Sequence, residues 1–321
     1  MNYGLFLART LTVVLAVLAC AGGIVAIVGR TQQRQHRERL EVKHLNRHFE
    51  DLAFGIDSAM QSPKVRRKLF KSRRKQRKHE TGQNNTRPRL FVLDFHGDIR
   101  ASGVNALREE VNAVLCVARE DDEVLVRLES PGGLVHSYGL AASQLVRLKE
   151  RGLKLTVAVD KVAASGGYLM ACVADRLLAA PFAVIGSIGV VAQLPNFHRL
   201  LEKNQVDYEL FTAGEYKRTV TVLGENTPEA RRKFQEQLED VHGLFKEFVK
   251  TYRSQLDLPT VATGEYWYGT RALTLGLVDK LQTSDDFLLA ARDRVAIYTL
   301  NYHGRKSLRE RLGSAARAFL P

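Results

Sequence analysis

An α/β domain is what this sequence predicts for the roughly 230 residues that follow residue 89, a length that can bury one sizeable core. Three observations carry the prediction. Short apolar runs recur along the segment, amphipathic stretches of helical length separate them, and several of the runs end in glycine-rich turns. Alternation of this kind is the mark of strands crossed over by helices. Taken in order, the pattern predicts a strand at 90–95, a helix over about 103–119 and a strand at 123–129. A helix over about 135–151, a strand at 154–159, a helix after Gly166 and a strand at 208–212 follow. Thr227-Pro228-Glu229 then opens a long helix in the order cap, proline, acid. Along that helix Phe234, Leu238, Val241, Phe245, Phe248 and Tyr252 fall three or four residues apart, which makes one apolar stripe for a core or a subunit interface. The apolar stretch Leu177 to Leu194 contains Pro181, Gly186, Ser187 and Gly189, so it reads as a buried strand and turn rather than a membrane span.

The residues that carry chemistry sit in the turns. Ala164-Ser165-Gly166-Gly167-Tyr168 places a serine before two glycines, and Lys217, within Ala213-Gly214-Glu215-Tyr216-Lys217-Arg218, follows Ser165 by 52 residues. A serine hydroxyl needs a neighbour to take its proton before it can attack a carbonyl. Lysine can replace histidine in that role when an apolar environment disfavours its charged form. Ser130-Pro131-Gly132-Gly133 ends the apolar run Val124-Leu125-Val126-Arg127-Leu128, and its glycines can present backbone N–H groups with no Cβ in the way. An acyl-transfer site needs two such donors, one of them commonly from the residue after the nucleophile, here Gly166. Gly186-Ser187-Ile188-Gly189-Val190 adds a hydroxyl that could accept from a lysine ammonium. Read singly, each turn is also ordinary punctuation of an α/β fold.

Together these segments resemble family S49 of the serine peptidases, the signal peptide peptidases, and most closely its SohB-type membrane members. Besides the four motifs above, the resemblance runs through Leu223-Gly224-Glu225-Asn226, Tyr266-Trp267-Tyr268-Gly269 and Gly276-Leu277-Val278-Asp279, covering roughly residues 90–285 in one order. It implies a ββα spiral of the kind shared with ClpP and the crotonases. It also implies Ser165 as nucleophile, Lys217 as general base, Gly133 and Gly166 as oxyanion donors, Gly132 as part of the same loop, and Ser187 as orienter of Lys217. No cofactor is implied, and no Cys/His cluster has metal-ligand spacing. A homo-oligomer is implied, with Ser165 of one subunit meeting Lys217 of a neighbour.

Charge divides the chain. Residues 1–89 hold 19 Lys and Arg against 6 Asp and Glu, whereas residues 90–321 hold 29 of each, so the whole net charge of +13 precedes the predicted domain. It is carried by the flank Arg30, Arg34, Arg37, Arg39, Lys43 and Arg47 and by the dense run from Lys64 to Lys78. Before them, Thr10 to Gly29 is twenty residues without a charge, the length of a transmembrane helix. A cleaved leader, or a lipoprotein signal ending at Cys20, is the competing reading. Basic residues beside such an anchor favour anionic lipid as a partner, at about 1 kcal/mol each. Nucleic acid would ask for interleaved aromatics, and only Phe70 lies in the run. The basic flank argues for a cytoplasmic domain, while the family resemblance argues for the outer side. Cys116 and Cys172, set among apolar residues, are expected to be buried thiols.

The expected organisation is a membrane anchor over 1–29, a flexible basic linker over 30–89, a peptidase domain over 90–285 and a tail from 286 with no readable motif. The expected function is a peptidase of the bacterial inner membrane that cleaves leader peptides or short unfolded polypeptides through an acyl-enzyme. Two other readings of the same residues are a crotonase-like acyl-CoA enzyme and a noncatalytic membrane scaffold that uses the groove for binding.

Overall fold

The computed structural model describes residues 39–80 and 87–304, with residues 75–80 described by backbone alone. The expected span Thr10 to Gly29 lies outside the described residues, and no helix among those described is long and apolar enough to cross a membrane. Residues Val42–Asn301 form one compact unit.

A mostly parallel sheet of seven strands forms the centre, in the order β1-β10-β2-β3-β4-β6-β9. Its strands are β1 (Arg39–His44), β2 (Arg89–His96), β3 (Glu123–Glu129), β4 (Lys154–Val159), β6 (Arg176–Ala179), β9 (Lys280–Leu281) and β10 (Ala296–His303). Strands β10, β2, β3, β4, β6 and β9 pair in parallel. Val124, Leu125 and Val126 in β3 and Val157, Ala158 and Val159 in β4 are fully buried on both faces, which is why these strands read as unbroken apolar runs. A small second sheet joins β5 (Val162–Ala164), β7 (Val184–Gly186) and β8 (Tyr266–Tyr268). Ser130, just past β3, bridges to Ala163 in β5 and so carries the large sheet into the small one.

The expected helices are present as α3 (Val104–Val117), α4 (Val135–Glu150), α5 (Gly166–Ala171) and α7 (Pro228–Tyr252). Thr227 caps α7 by accepting the Ala230 N–H at 3.1 Å, with Pro228 in the first turn. Within the segment expected as linker, the chain forms β1 and the helices α1 (Leu45–Ala59) and α2 (Pro63–Glu80). Past residue 285, α10 (Ser284–Ala291) and β10 continue the fold, and β10 pairs with β2 from Ala296 opposite Arg89.

Three expectations are corrected. Residues 208–212 form no strand and are exposed along their whole length, so they bury no face that pairing would hold. Leu177 to Leu194 does form the expected buried strands and turn as far as Ile188, with Phe182 exposed between β6 and β7, but its last residues do not follow, and Val191 is 80% exposed. Cys116 is exposed near the end of α3, where it points away from the core, while Cys172 is buried. Its Sγ donates to Leu169 O at 3.3 Å.

Candidate active site

Three turns meet at one end of the small sheet. In the register of β5 and β7, Ala164 lies opposite Gly186, so Ser165 and Ser187 leave neighbouring strand ends. Both serines have φ of +52°, a conformation that non-glycine residues rarely hold without constraint. The constraint is visible: Ser165 N–H donates to Gly186 O at 2.8 Å, and Ser187 N–H donates to Glu265 O at 2.6 Å. Ser165 therefore sits on a strand-to-helix elbow at the start of α5, with the Gly166 N–H in the first turn, where no carbonyl of the helix can take it.

Gly132 and Gly133 pass directly beside this elbow. Gly132 has φ of +90°, and a Cβ there would lie 2.7 Å from the Gly166 nitrogen and 2.8 Å from the Ser165 Cβ. Only glycine lets the two backbones approach this closely. Among the described residues the Gly133 N–H has no hydrogen-bond partner. The loop is held from below by a buried relay. Gly132 N–H donates to Ser130 Oγ at 3.1 Å, the Ser130 hydroxyl donates to Tyr138 Oη at 2.6 Å, and the Tyr138 hydroxyl donates to Asp98 O at 2.8 Å. Burial pushes the Tyr138 phenol up, against the opposing hydrogen bond with Ser130, so it stays a donor. A Cβ on Gly166 would collide with the Tyr138 ring, so this one side chain supports both glycine segments.

Ser165, Gly133 and Gly166 open into a cleft of about 220 Å³, walled by Leu169, Val190 and, from α7, Val241, Phe245 and Phe248. His242 Nε2 lies 3.2 Å from Ile188 O and fixes α7 against the Gly186–Val190 turn. Much of the apolar stripe on α7 thus lines the cleft, beyond the core or interface role that periodicity suggested.

Lys217 is not brought to this place. It lies on the exposed arm between Val191 and Glu225, and it does not line the cleft. The arm is pinned at its base: Asn196 Nδ2 donates to Thr221 O and Gly224 O, each at 2.9 Å, and Asn226 exchanges two bonds with the Thr221 backbone at 2.8 and 2.9 Å. Farther out, Tyr216 receives the Lys233 ammonium over its ring at 5.0 Å. Lys233 precedes Val241 and Phe245 on α7 by eight and twelve residues, or roughly 12 to 18 Å along the helix axis. Within one chain, Ser165, Gly132, Gly133, Gly166 and Ser187 cluster, and Lys217 stands apart.

Sequence reasoning missed Tyr138, Asn196 and Thr221. The signal for the first was faint, since a tyrosine inside an apolar helix face reads as core.

Two family models match the chain, Peptidase family S49 N-terminal over residues 1–145 and Peptidase family S49 over residues 147–297. A probable protease SohB of Haemophilus influenzae is 50% identical, covering 98% of this chain and 92% of its own length. A probable protease SohB of Buchnera aphidicola from Schlechtendalia chinensis is 49% identical over 90% of this chain and 98% of its own. A putative protease of Synechocystis is 30% identical over 64% of this chain and 73% of its own. With an α/β fold built on a mostly parallel sheet, and both family models side by side along it, the chain belongs to peptidase family S49 and is a serine-type peptidase.

Proposed function

We propose that the protein is a Ser-Lys peptidase whose active site is completed between subunits, held at the bacterial inner membrane by Thr10 to Gly29, acting on leader peptides or short unfolded polypeptides. The β-strand and helix units fit a spiral of the ClpP and crotonase kind. Ser165 Oγ attacks the peptide carbonyl while Lys217 Nζ of a neighbouring subunit takes its proton. The Gly133 and Gly166 N–H groups receive the oxyanion. Collapse of the tetrahedral species expels the amine, which takes that proton from Lys217, and water then hydrolyses the Ser165 ester. Ser187 Oγ accepts a hydrogen bond from Lys217 Nζ and so orients it. The substrate backbone lies extended beside Gly132 and Gly133 as an added strand, with an apolar side chain in the cleft.

A single observation supports the shared site best: every proposed catalytic group except the base is gathered in one chain, and the base rides on an arm rich in exposed apolar residues. Val191, Leu200, Val206, Phe211 and Tyr216 on that arm are all at least 45% exposed. Such a surface suits a second copy of the chain. The test is to refold Ser165→Ala and Lys217→Ala proteins together. Each alone is expected to be inactive, and Lys217→Arg as well, because a guanidinium does not act as a base. In random mixed rings about a quarter of the boundaries are complete, and activity returns in that proportion. Verified mixed oligomers without activity would overturn the shared site.

A further inference from the structure

Just past the end of β2, Asp98, Ile99, Arg100 and Ala101 make a tight turn, closed by the Ala101 N–H donating to Asp98 O at 2.9 Å. The Asp98 carboxylate accepts the Arg100 and Ser102 N–H groups at 3.1 and 2.8 Å, and Ala101, fully buried, is held at a φ of +49°. The turn is therefore fixed from inside. Turn positions favour Gly, Pro, Asn, Asp and Ser, yet this tip holds a β-branched apolar residue, and Ile99 is 70% exposed.

The backbone sets where this tip lies. Ile99 O accepts the Leu134 N–H at 2.8 Å, and a Cβ on Gly133 would lie 2.6 Å from Ile99 Cα, so Ile99 rests directly against Gly133. Gly133 and Val135 border the cleft beside Ser165, whereas Ile99 and Leu134 do not line it. Leu134 is nonetheless 43% exposed. A lone exposed apolar side chain is ordinary. Here two of them sit on paired backbones, beside the glycine whose N–H is assigned to the oxyanion.

We propose that Ile99 and Leu134 form a second apolar subsite of the peptidase, for the substrate side chain next in sequence to the one that enters the cleft. Successive side chains of an extended peptide point to opposite faces. A substrate lying along Gly132 and Gly133 with one side chain in the cleft therefore turns the neighbouring side chain out of it, and Ile99 and Leu134 supply apolar surface beside that path. Burying Ile99 under a second copy of the chain would instead crowd the Gly133 N–H that a peptide has to reach. The subsite presupposes Ser165, Gly133 and Gly166 as the acyl-transfer site and does not depend on which subunit supplies Lys217.

The test uses the full chain in detergent carrying Ser165→Ala, so that labelled peptides bind without turnover and fluorescence polarisation reads their affinity. The peptides carry leucine or alanine at the cleft position and at each position beside it. Leucine at one of the two neighbouring positions is expected to bind about tenfold more tightly than alanine. Ile99→Ser, and separately Leu134→Ser, should reduce that preference to within about twofold of none and leave the preference at the cleft position intact. Serine suits both places, one a turn and the other the cap of α4, so the melting temperature should not fall. A neighbouring-position preference that is absent, or that survives both substitutions, would overturn the proposal. So would an equal loss at the cleft position, or a change of oligomer size in Ile99→Ser with the peptide preference unchanged. Hydrolysis by the chain with Ser165 in place separates the two readings. Cleavage that persists in Ser165→Ala would refute the acyl-transfer site and the subsite with it, whereas cleavage lost in Ser165→Ala with no effect of Ile99→Ser on preference would refute the subsite alone.

Discussion

Replacing Tyr138 by phenylalanine removes one oxygen from the middle of the relay under the glycine loop, and the structure sets the cost. Tyr138 and Ser130 are both fully buried. Without the phenol, the Ser130 hydroxyl loses the acceptor at 2.6 Å and Asp98 O loses the donor at 2.8 Å. Stranding a buried polar group costs about 1 to 3 kcal/mol. Asp98 O can rehydrate and Ser130 cannot, so about 2 kcal/mol is expected for Tyr138→Phe. For a unit of this size that is a fall of about 4 to 8 °C in melting temperature. Ser130→Ala attacks the same relay from its other end and takes the acceptor from the Gly132 N–H. Since the serine hydroxyl is already stranded once the phenol is gone, the double variant should cost about 1 to 2 kcal/mol less than the two single costs combined. Peptide hydrolysis supplies the second readout. Loosening the Gly132-Gly133 loop should lower kcat about ten- to a hundredfold and leave KM within about twofold, as for an interaction that matters in the transition state. Additive melting shifts together with an unchanged kcat would refute the relay as a support of the oxyanion loop.

Within the cleft, Phe245→Ala should raise KM for peptides with a large apolar residue beside the scissile bond by about tenfold, with a smaller effect on peptides carrying alanine there, measured as kcat/KM across a substrate series. Arg253, whose side chain is 4% exposed, is held by Asp279 at 2.8 Å, so Asp279→Ala should cost about 3 kcal/mol in urea unfolding by leaving a buried guanidinium unpaired. Burial opposes ionisation of Asp279, but hydrogen bonds from Arg253 and the Leu177 N–H outweigh it and hold its carboxyl below the ordinary 3.8. The stability it contributes is complete above that value and is lost as pH falls through the lowered one, and the acid limb of a stability–pH curve should flatten in Asp279→Asn. Cys116 should react with a maleimide in the native protein, whereas Cys172, whose thiol burial pushes up to about 12, should react only after unfolding, a contrast that mass spectrometry reads directly.

The parts of the fold legible in the sequence are those where burial leaves one choice. Strands β3 and β4 sit at the centre of a parallel sheet, so both faces must be apolar and their limits show as abrupt changes in composition. Residues 208–212 and 298–300 show why this reading fails away from the centre of the sheet. Tyr208, Leu210 and Phe211 look like a strand but stay at least 41% exposed, whereas Tyr298, Thr299 and Leu300, in a segment with no readable motif, pair with β2. Pairing depends on whether a strand edge is free nearby, and that is fixed by the chain path, which local composition does not encode. The hairpin α1–α2 was hidden for a related reason. Its charge density resembles that of a solvated segment, and what folds it are contacts distant in sequence: Leu45 and Phe49 on the core, Asn46 bonded to Arg292, Val295 and Ile297, and the Phe54–Phe70 and Arg73–Asp51 pairs between the two helices.

The candidate site divides along the same line. Ser165, Gly132, Gly133 and Gly166 were legible because nucleophile and oxyanion chemistry demands particular residue types at adjacent positions, and adjacency survives in sequence. Tyr138 was not, because its role comes from Asp98 forty residues before it and Ser130 eight before it, and many buried tyrosines share its local pattern. Lys217 is the opposite case: its residue type suits the chemistry, yet in one chain it is exposed and does not line the cleft, and its neighbour Tyr216 meets Lys233, eight residues before Val241 on α7. The arm that carries Lys217 is pinned at its base by the hydrogen bonds of Asn196 and Asn226 with the Thr221 backbone. A site made within one chain would ask this arm to move on those pins, whereas the proposed shared site would use the arm as it is held. Weakening the pins therefore separates the two routes. Asn226→Ala should lower activity if the arm must be presented rigidly to a neighbouring subunit, and should raise it if each chain has to reach back to its own serine.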